Sequence, residues 1–159
     1  MENNQRSVVL GLGNLLQRDE GFGLAALRAL QIATGEQPGL EFIDGGVMGL
    51  DLLPLVETCQ NLLILDAVNT ARPPGEIVEL TREKLPLFSG IRLSQHQVGF
   101  QEVLGLAAVR ERLPERLHLI GIQPADLEPG MELSATASTQ VAEVVRRAIR
   151  VLTGWGLIR

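Results

Sequence analysis

The chain has 159 residues, enough for one domain that buries about two-thirds of its unfolded surface. Hydrophobic residues make up 45% of it and aromatic residues 3%, with no Tyr; this excludes a disordered segment and leaves Leu, Val, Ile and Ala to build the core. A net charge of -5 with both signs interspersed argues against a nucleic-acid partner, which needs a basic face. No secretory pattern is visible and no stretch approaches the ~18 apolar residues of a membrane span. The sole cysteine, Cys59, has no internal disulfide partner, so a soluble cytoplasmic protein without a membrane partner is expected.

Val8-Val9-Leu10 is a short apolar run ending in glycines, and predicts a buried strand leading into a loop. Phe22, Ala25, Ala26, Ala29, Leu30 and Ala33 recur at helical spacing, giving a helix to about Thr34 with Asp19 and Glu20 at its start. Leu40 to Ile43 is a second strand ending at Asp44-Gly45-Gly46. Leu50, Leu53 and Val56 suggest a short helix, where Pro54 is tolerated near the first turn. Leu62 to Leu65 is a third strand, apolar throughout as when both faces are covered. Glu76 to Leu80 alternates like a half-buried strand after the Pro73-Pro74-Gly75 turn, and residues 82–95 read as irregular. Phe100, Val103, Leu104 and Ala107 begin a helix bounded by Pro114. Leu117 to Gln123 is a strand halted by Pro124. Val141, Val144, Val145, Ala148, Ile149 and Leu152 form the inner face of a final helix. No linker or repeat divides the chain, so residues 1–159 are expected to be a single domain. Strands alternating with helices imply an α/β fold, a mostly parallel sheet with helices on both faces. Ligands in such sheets bind beyond the carboxyl ends of the strands, the edge that carries Glu20, Asp44 and Asp66, and His96 if its loop returns there.

Glu20, Asp66 and His96 are the candidate site residues. Two carboxylates and an imidazole make a hard-to-borderline donor set for a divalent transition metal. Each has a structural reading too. Asp19 and Glu20 at a helix start would stabilise its first turn by about 0.3–1 kcal/mol each. Asp66, directly after four large aliphatic residues, meets heavy desolvation unless a cation or hydrogen-bond donors face it; a satisfied aspartate at a loop start is the alternative. His96, in the polar Ser94-Gln95-His96-Gln97, reads by itself as a surface or capping histidine. His118 reads as a structural or edge histidine and Cys59 as a buried inert thiol. Gly11-Leu12-Gly13 followed by Asp44 invites a dinucleotide site, but position 16 is Leu, and Asp19 and Glu20 would set negative charge beside a pyrophosphate. No Gly-x-Ser-x-Gly elbow or His-Glu-x-x-His helix is present.

The ordered set Gly11-x-Gly13-Asn14, Asp19-Glu20-Gly21, Asp44-Gly45-Gly46, Asp66, Ser94-Gln95-His96-Gln97 and Gly121-x-x-Pro124 with Leu127-Glu128-Pro129 resembles the pattern of the nickel-iron hydrogenase maturation endopeptidases. The resemblance spans nearly the whole chain. It implies a three-layer, phosphorylase/hydrolase-like α/β fold. It also implies an aspartate- and metal-assisted endopeptidase whose partner is the [NiFe] hydrogenase large-subunit precursor and which removes that precursor's C-terminal extension. The metal ligands and catalytic groups would be Glu20, Asp66 and His96, with Asp44 lining the cleft or supporting the site. Nickel would be supplied by the precursor, and other divalent ions would be able to occupy the same site. Gln95 stands where family members often carry proline. The alternatives are a non-catalytic nickel-binding maturation chaperone and a nucleotide-binding regulatory domain.

Overall fold

A computed structural model describes residues 5–85, 92–93 and 98–159. Among these residues the strands are β1 (Ser7–Leu12), β2 (Leu40–Gly46), β3 (Asn61–Asn69), β4 (Ile77–Thr81), β5 (Arg92–Leu93) and β6 (Arg116–Ile122). The helices are α1 (Phe22–Thr34), α2 (Leu53–Thr58), α3 (Val98–Val109), α4 (Ala135–Ser138) and α5 (Val141–Gly154). The main sheet has the order β2-β1-β3-β6-β4. β2, β1, β3 and β6 run parallel and β4 closes the edge antiparallel to β6. β5 pairs antiparallel with the last two residues of β3.

Two apolar layers explain why the central strands do not alternate. On one face Leu10, Leu62, Ile64 and Val68 pack with Val56 of α2 and Phe100, Val103 and Leu104 of α3. On the other, Val9, Leu63, Leu65 and Ile120 pack with Phe22, Ala26 and Leu30 of α1 and Val144, Ala148 and Leu152 of α5. A strand covered on both sides is apolar at every position, and each fully buried Leu or Ile contributes about 1.5–3 kcal/mol. The result is the expected three-layer α/β architecture. β4 lies at the edge, and alternating residues of it are buried.

Several boundaries differ from the sequence reading. β3 does not stop at Leu65 but continues to Asn69, because β6 pairs with it as far as Ala67 and β5 takes over at Val68. The short helix α4 has no apolar periodicity to announce it. It is started by Ser134, whose Oγ accepts from the Ala137 N–H at 3.1 Å. On α5, Glu143 and Arg147 lie outside the apolar face yet are half-buried, since Arg147 bridges Glu143 and Glu79 of β4.

Candidate active site

The loop from β1 to α1 folds back over the carboxyl ends of the central strands. Gly13 adopts φ +143°, and a Cβ there would lie 1.8 Å from the Glu20 carbonyl oxygen, so no other residue permits this reversal. The Gly13 N–H donates to Gly46 O at 2.9 Å, and the Asn14 N–H donates to Glu20 O at 3.1 Å. Asn14 Oδ1 accepts from the Leu16 N–H at 2.9 Å, an Asx turn that shapes the loop. The 3-10 turn Arg18–Gly21 then places Glu20 at 1% exposure and leads directly into α1.

Asp66 is wholly buried inside β3, opposite Gly121 of β6. The sequence reading set it just past the strand; the pairing described above keeps it within. Its strand parity is that of Leu62, Ile64 and Val68, the side covered by α2 and α3. Oδ1 accepts from the Ala67 N–H at 2.8 Å, and among the described residues Oδ2 has no hydrogen-bond partner. Burial pushes the Asp66 carboxyl well above the ordinary carboxylate range; the Ala67 N–H opposes this, and the Glu20 charge adds to it. The structure therefore brings Glu20 and Asp66 within electrostatic reach of each other in a site closed to water. Ionising Asp66 in this site is costly: it retains its proton or requires a cation.

Asp44 lies near the carboxyl end of β2, exposed, and its Oδ1 accepts from the Gly46 N–H at 2.8 Å. It aligns with Gly11 on β1, whose other neighbour is Leu65. That puts Asp44 two strands from β3, about 10 Å away at the usual strand spacing, and its parity is that of the α1/α5 face rather than the Asp66 face. Asp44 thus shares the sheet edge with Asp66 but shapes its own turn. His96, with Ser94, Gln95 and Gln97, lies outside the described residues. Among the described residues no three His, Cys, Asp or Glu side chains cluster as metal ligands.

Sequence reasoning missed the role of Asp19. It is wholly buried and accepts four hydrogen bonds from Ala125, Asp126 and Ser134. Burial would raise its pKa, but the donors of Ser134, Ala125 and Asp126 outweigh that and hold the carboxyl below its ordinary value. No local pattern signals this, because the donors lie more than a hundred positions away in the chain. The glycines of the β1 loop have a packing role of the kind that also occurs in dinucleotide sites. Here the tight helix–strand approach is made by Gly23 in α1, where a Cβ would come within 2.2 Å of Leu12 O and 2.3 Å of Leu65 O.

Cys59 caps α2 at the opposite end of the sheet, just ahead of β3. At ~3.3 Å per residue the strand separates it from Asp66 by roughly 17 Å or more. Burial pushes its thiol up to about 11, against the pull of nearby Arg6, so at neutral pH it holds its proton. Cys59→Ser is expected to leave the activity of the protein unchanged within about twofold, and complete loss in a folded variant would require a thiol mechanism. His118 pairs with Glu79 at 3.2 Å between Nε2 and Oε1, a structural role as expected.

The family model for hydrogenase maturation protease matches residues 25–151. The chain belongs to the hydrogenase maturation protease family. It is 40% identical over 154 residues to the hydrogenase expression/formation protein HupD of Rhizobium leguminosarum bv. viciae, covering 96% of this chain and 76% of that one. It is 31% identical over 153 residues to the hydrogenase 2 maturation protease of Escherichia coli strain K12, covering 96% and 93%. The solved structure of the hydrogenase maturating endopeptidase HybD from E. coli superposes with a TM-score of 0.87 at 31% identity over 95% of this chain and 94% of that one. HybD from Thermococcus kodakarensis gives 0.73 at 31% identity over 92% and 98%. The family match accounts for the fold and for the peptidase class of this chain. No helix among the described residues is long and apolar enough to cross a membrane.

Proposed function

We propose that this member of the family removes the C-terminal extension of a nickel-loaded [NiFe] hydrogenase large-subunit precursor, and that Glu20, Asp66 and His96 recognise the nickel held in that precursor. The observation that carries the reading is Asp66: a fully buried carboxylate with one oxygen unpartnered among the described residues and a second carboxylate beside it. Among the described residues no hydrogen-bond donor meets Asp66 Oδ2, and a divalent ion would be matched to it. The donor set also fits: carboxylate and imidazole suit a borderline divalent metal and leave positions open for substrate.

On this reading the precursor brings its own ion, which supplies charge compensation and polarisation where the bond is broken. Asp66 gives up its proton to solvent on meeting it, as a ligand must. With the precursor seated, a carboxylate of the site is the acceptor for the proton of the attacking water. The carrier alternative is disfavoured because a carrier needs soft or imidazole-rich ligands, and the one thiol lies at the far end of the sheet, protonated.

The test is a mobility-shift assay on purified precursor with and without nickel, using wild type and Glu20→Gln. Wild type is expected to shorten only the loaded precursor, and Glu20→Gln to lose at least ~100-fold of that rate. Equal cleavage of nickel-free precursor would remove nickel recognition, and nickel transfer without any shortening would make the protein a carrier.

A further inference from the structure

Asp19 is an acceptor-only group at which four donors converge. Its Oδ1 accepts from the Ser134 N–H at 2.7 Å, and its Oδ2 accepts from Ser134 Oγ at 2.8 Å and from the N–H groups of Ala125 and Asp126 at 2.9 Å each. All four belong to one segment, the loop between β6 and α4. The Asp19 N–H returns a bond to Asp126 O at 3.0 Å. The residues just before it are tied to the same loop. The Arg18 N–H donates to Gly130 O and the Gly130 N–H to Leu16 O, both at 2.9 Å. The Arg18 side chain donates from Nη1 to Asp126 Oδ2 at 2.7 Å and from Nε to Glu132 O at 3.2 Å.

These bonds do not cap α1. Neither the 3-10 turn nor α1 has a side-chain cap bond at its start, so Asp19 is not the helix-start carboxylate that its position suggests. Its acceptors are spent on a distant loop. Meanwhile Arg18 is held at φ +46°, a left-handed conformation that a non-glycine residue keeps only when its surroundings enforce it, and that concentrates at functional sites. The residue after Asp19 is Glu20, whose carbonyl is fixed from the other side by the Asn14 N–H and the close approach of Gly13. The turn is thus gripped at both ends, and what it presents between the grips is the Glu20 side chain, buried within electrostatic reach of Asp66.

We propose that Asp19 is a positioning residue of the active site: its buried carboxylate locks the loop of residues 124–134 onto the Arg18–Gly21 turn and so fixes Glu20 against Asp66. The proposal rests on the reading above that Glu20 acts on the precursor. Asp19→Asn is nearly isosteric but sets an amide N–H₂ among donors, so the turn loses its lock while Glu20 and Asp66 keep their chemistry. A misplacement of about 1 Å costs on the order of 100-fold in rate. The expected result is a kcat about 100-fold down on nickel-loaded precursor, with KM within about threefold of wild type, measured well below the variant's melting temperature.

Leu152→Ala, a cavity variant in the fully buried face of α5, supplies the comparison: it is expected to lower the melting temperature while leaving kcat within about twofold. Ser134→Ala deletes one donor and retains the charge; it is expected to lower kcat about fivefold and decides the matter if Asp19→Asn does not fold. Asp19→Asn no slower than Leu152→Ala, an unchanged kcat in Ser134→Ala, or a loss confined to KM would each overturn the proposal. If Glu20→Gln is inactive and these variants are normal, only the positioning role falls. If Glu20→Gln processes normally, the proposed function falls and the positioning role with it.

Discussion

Asp66→Asn is expected to abolish processing of the loaded precursor, by at least ~1000-fold, while making the protein itself more stable at neutral pH. The two effects have one cause. The amide keeps an oxygen for the Ala67 N–H and removes a charge from a site where burial and the neighbouring Glu20 both oppose ionisation. A neutral amide is a poor ligand for a divalent ion and no base, so the chemistry is lost. The pH dependence identifies the mechanism. The folded-state pKa of Asp66 lies above its unfolded value of about 3.9, so the folded state binds the proton more tightly. Its contribution to stability is fully present below about pH 4 and is lost as pH rises towards the folded pKa, at up to about 1.4 kcal/mol per pH unit.

Asp19 works in the opposite sense: its pKa is lowered, so its contribution is present above about pH 4 and is lost as pH falls through its folded value. The variant retains Asp19 and lacks only the Asp66 slope. Thermal melts from pH 4 to pH 8 should therefore show wild type and Asp66→Asn converging at the acid end and separating as pH rises. By pH 7 the variant should lie at least about 2–4 °C higher, the equivalent of about 1 kcal/mol for a chain of this size. Parallel melting curves, or near-normal processing by a folded Asp66→Asn, would return Asp66 to a purely structural role.

Gly23→Ala is expected to be among the most damaging single substitutions outside the carboxylate pair. The added methyl would meet backbone on three counts: Leu12 O at 2.2 Å, Leu65 O at 2.3 Å and the Leu65 carbonyl carbon at 2.9 Å. None of these can swing aside as a side-chain tip can. α1 would have to lift off β1 and β3 by about 1 Å, opening the apolar layer formed with Phe22, Ala26 and Leu30. Overpacking ordinarily costs about 1–3 kcal/mol and occasionally more. A clash with two strand backbones at once belongs to the upper range, so a loss of about 4 kcal/mol or more is expected, or some 8–16 °C in melting temperature.

The contrast is Gly105→Ala in α3, where a Cβ would meet nothing within 4 Å. There the gain in helix propensity should leave stability unchanged or raise it by up to ~1 kcal/mol. Because Gly23 follows Glu20 by three positions, any Gly23→Ala protein that still folds should also process the precursor about 100-fold more slowly. Equal melting temperatures for the two glycine variants would show that the helix–strand contact is looser than the structure gives.

The sequence by itself determined the layer order and the edge at which to look. Unbroken apolar runs such as Leu62 to Leu65 specify strands covered on both faces, and the helical spacing from Phe22 to Ala33 and from Val141 to Leu152 specifies the covering helices. Both signals are local and periodic, so they are legible without a partner. The sequence also singled out Asp66, because a carboxylate continuing an aliphatic run is costly wherever the chain goes.

What it did not contain was the partner of each polar group. Whether Asp66 ends β3 or sits inside it depended on how far β6 and β5 pair alongside. Asp44 and Asp66 look equivalent as strand-end aspartates, yet register and parity place them on opposite faces of the sheet. Asp19 and Glu20 are adjacent acidic residues with the same apparent helix-start role. Tertiary structure divided them, giving one to the loop of residues 124–134 and the other to Asp66. A side chain's periodicity is written in its neighbours along the chain. Its hydrogen bonds and its electrostatic surroundings are written in residues that only folding brings near, and that is why the fold could be read from the sequence while the division of labour among its carboxylates could not.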